Sequence, residues 1–344
     1  MHPRRLLLVL VLVCPAVQAA PDGAELFAQH CAVCHGERGT GGVGTPLALE
    51  SFLSTVSDEF LIKTVRHGRP GRIMPAFPTL SNSQVKAIVG QIRGWSKLPA
   101  PAEDDTAVEG NPVKGQALYV EHCAACHGDQ GQGGHGTGVT FSRSRDLPII
   151  PPALNNSGFL AAASDRMLQA TIRNGRAGTP MPAFGGRLSD QQIGHITRFL
   201  RSWQGKAAPV THAEEQPFIL SVDSPYDLQQ TVENVRAAAA AANFAVIRSD
   251  HLEHGLVPEG EENPKLVFVD FCNFKFLFEA LQIDPRLGMF LPCRISVAEI
   301  EPGEVRVMSV NPKALSQLFN NNELDAACRR MHELYTQILD EASL

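Results

Sequence analysis

The sequence contains two Cys-x-x-Cys-His motifs, at residues 31–35 and 123–127. Two thiols one helical turn apart can add to the two vinyl groups on one edge of a porphyrin, and the following histidine then lies beneath the iron. Disulfide redox sites and zinc half-sites share the Cys-x-x-Cys spacing but do not require the trailing histidine. We therefore predict two covalently bound haem c groups. The attachment residues are Cys31, Cys34, Cys123 and Cys126, and the proximal iron ligands are His35 and His127.

Both motifs lie in an internal repeat. The segment from Gly23 matches that from Gly115 at an offset of 92 residues, and the Met-Pro-Ala-Phe segments at Met74 and Met181 match at an offset of 107. The second copy therefore carries about 15 extra residues, in the region from His135 to Ile150. Two copies in series predict two domains of one fold, joined by the Pro/Glu/Asp-rich stretch near residues 98–112.

The two repeated methionines are the predicted distal ligands. Met74 and Met181 each lie in a loop ahead of the last helix of their repeat. A buried methionine often only fills core space, but its recurrence in a loop favours ligation, and the soft thioether suits haem iron. His67 and His135 are the alternative ligands. His30 and His122, directly before the attachment motifs, are predicted to be surface residues.

Other residues could orient the proximal histidines or bind the haem propionates. The backbone carbonyl of Pro46 or Pro152 could accept the proximal imidazole N–H and fix its tautomer. Four arginines could pair with haem propionates or be solvated at the surface, and the sequence leaves both interpretations open. They are Arg66, Arg69, Arg173 and Arg176.

Each repeat reads as helical. Its last helix opens with a predicted capping box, Ser81 to Gln84 in the first copy and Ser189 to Gln192 in the second. Apolar residues then recur at helical spacing and form one core stripe per helix. The stripes are Val85, Ile88, Val89, Ile92 and Trp95, and Ile193, Ile196, Phe199, Leu200 and Trp203.

The chain begins like an exported protein. Arg4 and Arg5 precede the apolar run Leu6–Val13, and small residues follow near Ala19. This pattern predicts a signal peptide over residues 1–19, cleaved near Ala19, and hence a periplasmic protein. Eight apolar residues are too few to span about 30 Å of hydrocarbon, and no other apolar run reaches the length needed, so we expect no transmembrane segment in the mature chain.

Charge divides the chain into two parts. Residues 20–209 carry 18 Lys and Arg against 15 Asp and Glu, a net of +3, whereas residues 210–344 carry 10 against 21, a net of −11. Neither balance indicates binding to nucleic acid. The acidic part serves solubility in the simplest interpretation.

The acidic part, residues 210–344, also differs from the repeats in its predicted secondary structure. A strand at 218–222 precedes a helix that begins after Ser224-Pro225 and runs through the alanines 237–242. The remaining segments alternate, which predicts a compact α+β domain. The predicted strands are 244–248, 266–271, 294–299 and 305–310, and the predicted helices are 274–281, 312–319 and 322–339.

Three cysteines remain in this last part, namely Cys272, Cys293 and Cys328. Buried small thiols with one structural disulfide are the simplest interpretation. A redox-active Cys272–Cys293 pair, or a thiol that reacts with a sulfur substrate, are the alternatives, and sequence alone gives neither thiol pKa values nor distances.

Residues 20–206 resemble two class I cytochrome c domains in tandem, a resemblance carried by the attachment motifs and the Met-Pro loops. It implies all-α domains with a haem edge exposed for electron exchange. Residues 217–344 resemble an α+β family of unknown function through segments 271–275, 291–294 and 310–312, and members of that family tend to dimerise. The predicted architecture is a signal peptide (1–19), two all-α cytochrome c domains (20–99 and 108–206) and an α+β domain (216–344).

With both axial positions filled, electron transfer is the leading hypothesis. The haems would pass single electrons between periplasmic redox proteins, and the last domain would dock a partner or form a homodimer. In the competing hypothesis, that domain is an oxidoreductase acting on a small sulfur or inorganic substrate through Cys272 and Cys293, with the haems as electron exit.

Overall fold

The computed structural model describes residues 20–134, 150–205, 217–319 and 321–344. The predicted signal peptide and most of the predicted insertion lie outside the described residues. Within them, no helix is both long and apolar enough to cross a lipid bilayer.

The first repeat folds into five helices. Asp22 caps the first, with Oδ1 accepting the N–H of Ala24 at 2.8 Å, and Ser57 caps the fourth by accepting the N–H of Phe60 at 3.1 Å. The helices are α1 (Gly23–His30), α2 (Ala32–His35), α3 (Glu50–Leu53), α4 (Asp58–His67) and α5 (Asn82–Arg93).

The second repeat reproduces this order. Its caps are also equivalent, since Ser164 accepts the N–H of Met167 at 3.2 Å, as Ser57 does in the first copy. The helices are α6 (Pro112–His122), α7 (Ala124–His127), α8 (Ser157–Ala162), α9 (Asp165–Asn174) and α10 (Asp190–Arg201).

The last helix of each repeat carries the predicted capping box and the predicted apolar stripe. Both caps form as expected, at Ser81 with Gln84 and at Ser189 with Gln192. The stripe residues are buried apart from Trp95 and Trp203, which pack at the edge of the core. The Trp95 ring meets Phe27 edge-on at 5.0 Å between centroids, and Trp203 meets Tyr119 at 5.3 Å. These stripes hold the first and last helices of each repeat together.

The two repeats share one continuous apolar core. Helix α4 packs on α8 of the second repeat, where the rings of Phe60 and Phe159 meet edge-on at 6.5 Å. Polar contacts reinforce the junction: Ser51 Oγ donates to the carbonyl of Ala177 at 2.7 Å, and Asn156 Nδ2 donates to the carbonyl of Pro70 at 2.8 Å. The two candidate haem sites are therefore built into one packed unit.

The third part of the chain is a five-stranded antiparallel sheet in the order β1-β5-β4-β3-β2. Strands β3 and β4 are central, and their alternate residues Val269, Phe271, Ile295 and Val297 enter the core. The strands are β1 (Ile219–Ser224), β2 (Ala245–His251), β3 (Leu266–Cys272), β4 (Cys293–Glu301) and β5 (Glu304–Val310).

Two long helices cover this sheet, α11 (Leu228–Ala241) and α14 (Asp325–Ser343), which pack against each other. Two shorter helices, α12 (Phe274–Ile283) and α13 (Leu315–Leu318), lie near one end of the sheet, with 3₁₀ turns at Pro285–Phe290, Pro312–Ala314 and Asn322–Leu324. The predicted α+β class is confirmed, and each predicted strand and helix is present with shifted ends. The predicted helices at 312–319 and 322–339 each begin with a 3₁₀ turn instead.

One buried carboxylate ties the strands β2, β3 and β4 together. Asp270 is 1% exposed and accepts hydrogen bonds from Arg294 Nε at 2.7 Å and Arg248 Nε at 2.8 Å. Burial raises the pKa of this carboxyl, but the two arginines outweigh burial and leave the pKa below its ordinary value. The stabilisation is therefore present above the unfolded-state pKa and is lost as the pH falls through the lower, folded-state pKa.

Replacing Asp270 with Asn should destabilise this domain by about 2 kcal/mol, because two half-exposed arginines lose their hydrogen bonds to a shared buried carboxylate. Hydrogen–deuterium exchange of the β3 and β4 amides measures the loss as faster exchange. Asp223→Asn is the matched control, since Asp223 pairs with Arg306 on the exposed edge of the sheet and should change exchange little. Equal effects of the two substitutions would contradict this account.

Candidate haem-binding sites

The two predicted proximal histidines, His35 and His127, have the same environment in both repeats. Each ends a one-turn helix, α2 or α7, that carries the second attachment cysteine. His35 Nδ1 lies 2.7 Å from the carbonyl of Thr45, and His127 Nδ1 lies 3.0 Å from the carbonyl of Pro152. A carbonyl oxygen only accepts, so Nδ1 carries the proton and Nε2 keeps its lone pair for a metal. Burial lowers the pKa of both imidazoles, and the carbonyl contact opposes part of that shift.

The carbonyl prediction is confirmed for Pro152 and wrong for Pro46. In the first repeat the acceptor is Thr45, one residue earlier. The reason is the alignment of the two loops. The N–H of Leu47 donates to the carbonyl of Gly39, and the N–H of Leu154 donates to that of Gly131, so the residues that follow these loops correspond at an offset of 107. Thr45, not Pro46, is therefore the counterpart of Pro152. The Met-Pro-Ala-Phe segments have the same offset of 107 residues, so the sequence could have indicated Thr45 as the counterpart of Pro152.

The two Met-Pro-Ala-Phe loops are anchored in the same way. The Met74 carbonyl accepts the N–H of Arg69 at 2.9 Å, and the Met181 carbonyl accepts that of Arg176 at 3.0 Å. At the other end of each loop, the phenylalanine N–H donates to α4 or α9, from Phe77 to Val65 and from Phe184 to Ile172. Both methionines are half-buried. Such matched anchoring places the two side chains equivalently in their domains.

The other histidines differ from the methionines in their setting. His67 is exposed at the end of α4, and His135 lies outside the described residues. His30 and His122, predicted at the surface, are half-buried, and each packs against the phenylalanine of its own Met-Pro-Ala-Phe loop. The ring centroids lie 6.0 Å apart for His30 and Phe77 and 6.1 Å apart for His122 and Phe184. The surface prediction was wrong because it ignored the returning loop.

The four candidate propionate arginines separate into two pairs. Arg66 bonds the carbonyls of Phe77 and Leu80, and Arg173 pairs with Asp190. The second pair, Arg69 and Arg176, lies at the junction of the two repeats: Arg69 covers the ring of Phe159 at 5.5 Å, and Arg176 covers that of Phe52 at 5.1 Å. Burial lowers the pKa of Arg69 and of Arg176 to about 10. Their pairing with propionates stays a prediction.

A glycine packs closely against the His35 ring in the first repeat. A Cβ on Gly44 would lie 2.8 Å from Cε1 of His35, so only glycine leaves this ring its present orientation. The donor set is also suitable, with two thiols, an oriented imidazole and an anchored thioether in each repeat. The residues present therefore fit a covalently attached haem in both domains.

The loop ahead of Met74 also touches the third domain. Asn322 donates its N–H to the carbonyl of Gly71 at 2.9 Å, and Arg72 forms an ion pair with Glu323. Burial raises the pKa of Cys34, and the charges of Arg286 and Asp284 lie close enough to act on it as well. The 284–286 and 321–323 segments of the third domain thus lie beside the first attachment motif.

The three remaining cysteines are free thiols. Burial raises the pKa of Cys272 and Cys293, and raises that of Cys328 to about 12. The expected burial of Cys328 is confirmed, and it packs in a small cluster with Leu315, Phe319 and Leu324. Because the thiolate is the nucleophile, these thiols are poorly reactive near neutral pH.

Comparison with known families agrees with this geometry. Residues 18–90 and 110–200 match the family model described as "Cytochrome C oxidase, cbb3-type, subunit III", and residues 220–342 match "Domain of unknown function DUF302". The chain thus contains two cytochrome c domains followed by a DUF302 domain. The cytochrome c domains carry two covalently bound haem c groups and are similar to the subunits CcoP and FixP.

Two such relatives illustrate the similarity. The cbb3-type cytochrome c oxidase subunit CcoP of Azospirillum sp. (strain B510) is 31% identical over 201 residues, which cover 54% of this chain and 63% of that protein. The subunit FixP of Bradyrhizobium diazoefficiens is 30% identical over 198 residues, which cover 54% and 62%. The chain therefore spans less than two thirds of the length of these curated relatives.

Two solved structures are also similar to parts of the chain. An uncharacterised conserved DUF302 protein from Bacillus stearothermophilus has a TM-score of 0.34 at 21% identity and covers 37% of this chain and 99% of its own. The Kuenenia stuttgartiensis reducing HAO-like protein complex Kustc0457/Kustc0458 contains a chain with a TM-score of 0.37 at 21% identity, covering 54% and 97%.

Replacing Gly44 with Ala should disturb only the first haem site, because the added methyl group meets the His35 ring. We expect two attached haems per chain and a changed ferric spectrum for one of them, measured by absorption and electron paramagnetic resonance. Gly90→Ala on α5 is the control, since nothing lies within 4 Å of a Cβ there. An unchanged Gly44→Ala spectrum would show that the ring is not confined as described.

Proposed function

We propose that this protein is a periplasmic electron carrier whose two haems pass single electrons between redox partners. The observation that carries the proposal is the repetition of the complete site: the same oriented imidazole and the same anchored methionine loop occur in both domains. A catalytic haem needs an open axial position, whereas a carrier benefits from two fixed ligands. We propose His35 and His127 as the proximal ligands and Met74 and Met181 as the distal ligands. The haems would be attached through Cys31, Cys34, Cys123 and Cys126.

Each bound haem supplies a one-electron ferric/ferrous couple. The chain's own residues hold the ligands in place. The carbonyls of Thr45 and Pro152 hold the Nδ1 protons, which fixes the tautomer and ring orientation of the histidines. Phe77 and Phe184, with His30 and His122 packed on them, close the methionine loops over the core. Fixed ligands keep structural rearrangement small when an electron arrives or leaves.

The shared core of the two repeats supports transfer within the chain. Arg69 and Arg176 bridge the junction with their guanidinium groups over apolar rings of the opposite repeat. The domain boundaries that we propose, 20–99 and 108–206, put this junction between two units that are stabilised together. Electrons can then enter through one domain and leave through the other without a separate docking step.

For the DUF302 domain, proposed at 216–344, we favour a docking role. Residues 210–344, which contain this domain, carry a net charge of −11, in contrast with the +3 of residues 20–209, so a basic redox partner would be attracted to the acidic part. Its contacts beside the first attachment motif would hold that partner near the first haem. A homodimer formed through the same domain is the other arrangement that we propose. Export follows from the basic and apolar N-terminal sequence.

The structure of this domain gives little support to the hypothesis of a thiol-dependent oxidoreductase. Cys272 and Cys293 are free thiols, and burial raises the pKa of both. A raised pKa disfavours the thiolate that such chemistry requires. We therefore do not adopt this alternative.

Met74→Leu and Met181→Leu, made separately, test the proposal. Each should keep two haems per chain by pyridine haemochrome assay, because the cysteines are untouched. Each should also convert one haem to a high-spin or water-ligated form with a lower reduction potential, since a thioether raises the potential. Optical potentiometry measures both changes.

His67→Ala serves as the control for the methionine variants. Its spectrum and potentials should match the wild type, because this exposed histidine is not proposed as a ligand. Loss of low-spin character in His67→Ala, with none in Met74→Leu, would replace Met74 by His67 as the distal ligand.

A further inference from the structure

The two methionine loops share a backbone turn but differ in the side chain that follows it. Arg72 and Thr179 correspond at the offset of 107 residues. Each donates its backbone N–H within the turn, at 2.9 Å to the carbonyl of Arg69 and at 3.0 Å to that of Arg176. The Thr179 hydroxyl also donates to the Arg176 carbonyl at 2.8 Å and accepts the N–H of Met181 at 3.2 Å. Hydrogen bonds within the second loop therefore hold it in place.

In the first loop, the side chain at this position reaches two other domains. Arg72 forms an ion pair with Glu323 of the DUF302 domain, and its guanidinium donates to the carbonyl of Gln132 in the second repeat. Beside this pair, the N–H of Asn322 donates to the Gly71 carbonyl at 2.9 Å. A Cβ on Gly71 would lie 2.4 Å from Nδ2 of Asn322, so a glycine is needed for this close approach. Contacts from outside its own domain therefore hold the first loop.

The DUF302 side of this contact is a hydrogen-bonded polar network. Asp284 is fully buried and accepts two hydrogen bonds from Arg286, at 3.0 Å and 2.8 Å. Arg286 also donates to the carbonyl of Phe319 at 2.6 Å. Asn321 donates to Asp284 at 3.2 Å and accepts the N–H of Glu323 at 3.1 Å. The network fixes the backbone of Glu323, so its carboxylate meets the first loop from a rigid support.

We infer that Arg72 positions Met74, and that the DUF302 domain, through Glu323, stabilises methionine ligation of the first haem but not of the second. This inference rests on the proposed function, in which Met74 and Met181 are the distal ligands. Arg72 lies two residues before Met74, so a loop fixed at Arg72 restricts the movement of the thioether. Arg72 is a positioning residue, because it acts on the ligand through the loop.

Glu323→Gln in the full two-haem protein tests the inference without changing a proposed haem ligand. At saturating concentration, imidazole binds a ferric haem at the rate at which the methionine leaves, so this rate measures how firmly the loop is held. The side chains of Arg72 and Glu323 are only 22% and 19% exposed, which limits screening by solvent. We therefore expect about tenfold faster imidazole binding at one haem and an unchanged rate at the other.

Two further variants complete this measurement. Adding Met181→Leu leaves the proposed methionine ligand only at the first haem and so assigns the faster haem. Glu333→Gln is the matched control, since it removes an exposed charge from α14, and its rates should match the wild type. Equal acceleration at both haems, or acceleration by Glu333→Gln, would overturn the inference.

A double-mutant cycle identifies the ion pair as the cause. Arg72→Ala should accelerate imidazole binding at least as much as Glu323→Gln, because it also removes the contact with Gln132. Adding Glu323→Gln to Arg72→Ala should change the rate no further, since both substitutions break one interaction. Additive effects would contradict the assignment of the ion pair.

Hydrogen–deuterium exchange reports on the loop independently of the haem ligands. The Arg69 amide donates to the Met74 carbonyl and should exchange faster in Glu323→Gln, whereas the Arg176 amide of the second loop should not change. Unchanged β3 and β4 amides are expected and show that the DUF302 domain stays folded. Unchanged exchange at Arg69, or faster exchange throughout β3 and β4, would overturn the inference.

Failure of the ligand proposal has a different signature. If Met74→Leu left both haems low-spin, Met74 would not be the distal ligand, whereas faster exchange at Arg69 in Glu323→Gln would still show that the DUF302 domain holds this loop. The two failures are therefore distinguishable.

Discussion

The hydrogen bond from the imidazole of His35, and from that of His127, to a backbone carbonyl is the constraint on which the two cytochrome c domains depend. Because Nδ1–H donates to the backbone carbonyl of Thr45 or Pro152, the ring has one orientation and only Nε2 keeps a lone pair. The neighbouring loop must then pass close to the ring, and Gly44 makes that approach sterically possible. In the first repeat, the attachment turn, the loop and the core helices therefore form one mutually dependent arrangement. The second repeat shares the hydrogen bond from its histidine to a backbone carbonyl.

The DUF302 domain depends on different forces. Its sheet has an apolar core, and the buried carboxylate of Asp270 is shared between arginines of the two neighbouring strands. A mainly apolar cavity of this domain lies where the regular sheet ends, so the cavity does not interrupt the strand ladder. The domain meets the first haem domain through the loop just ahead of Met74. The turn at Pro285–Phe290 therefore borders both the cavity and the first attachment motif.

Much of this was accessible from sequence because it depends on spacing. The attachment motifs, the capping boxes at Ser81 and Ser189 and the apolar stripes are local patterns with a fixed geometry. The failures involve backbone and long-range contacts. A carbonyl acceptor has no side-chain signature, so residue type alone does not distinguish Thr45 from Pro46 as the acceptor. The packing of His30 on Phe77 joins residues 47 positions apart.

The central claim is that both haems have two protein ligands and serve electron transfer. The most direct test is carbon monoxide titration of the ferrous holoprotein, followed by absorption and compared with the haem count. The account predicts two low-spin haems per chain and no rapid binding of carbon monoxide at either. Stoichiometric, rapid binding at one haem would contradict the claim and would indicate an open axial position where chemistry takes place.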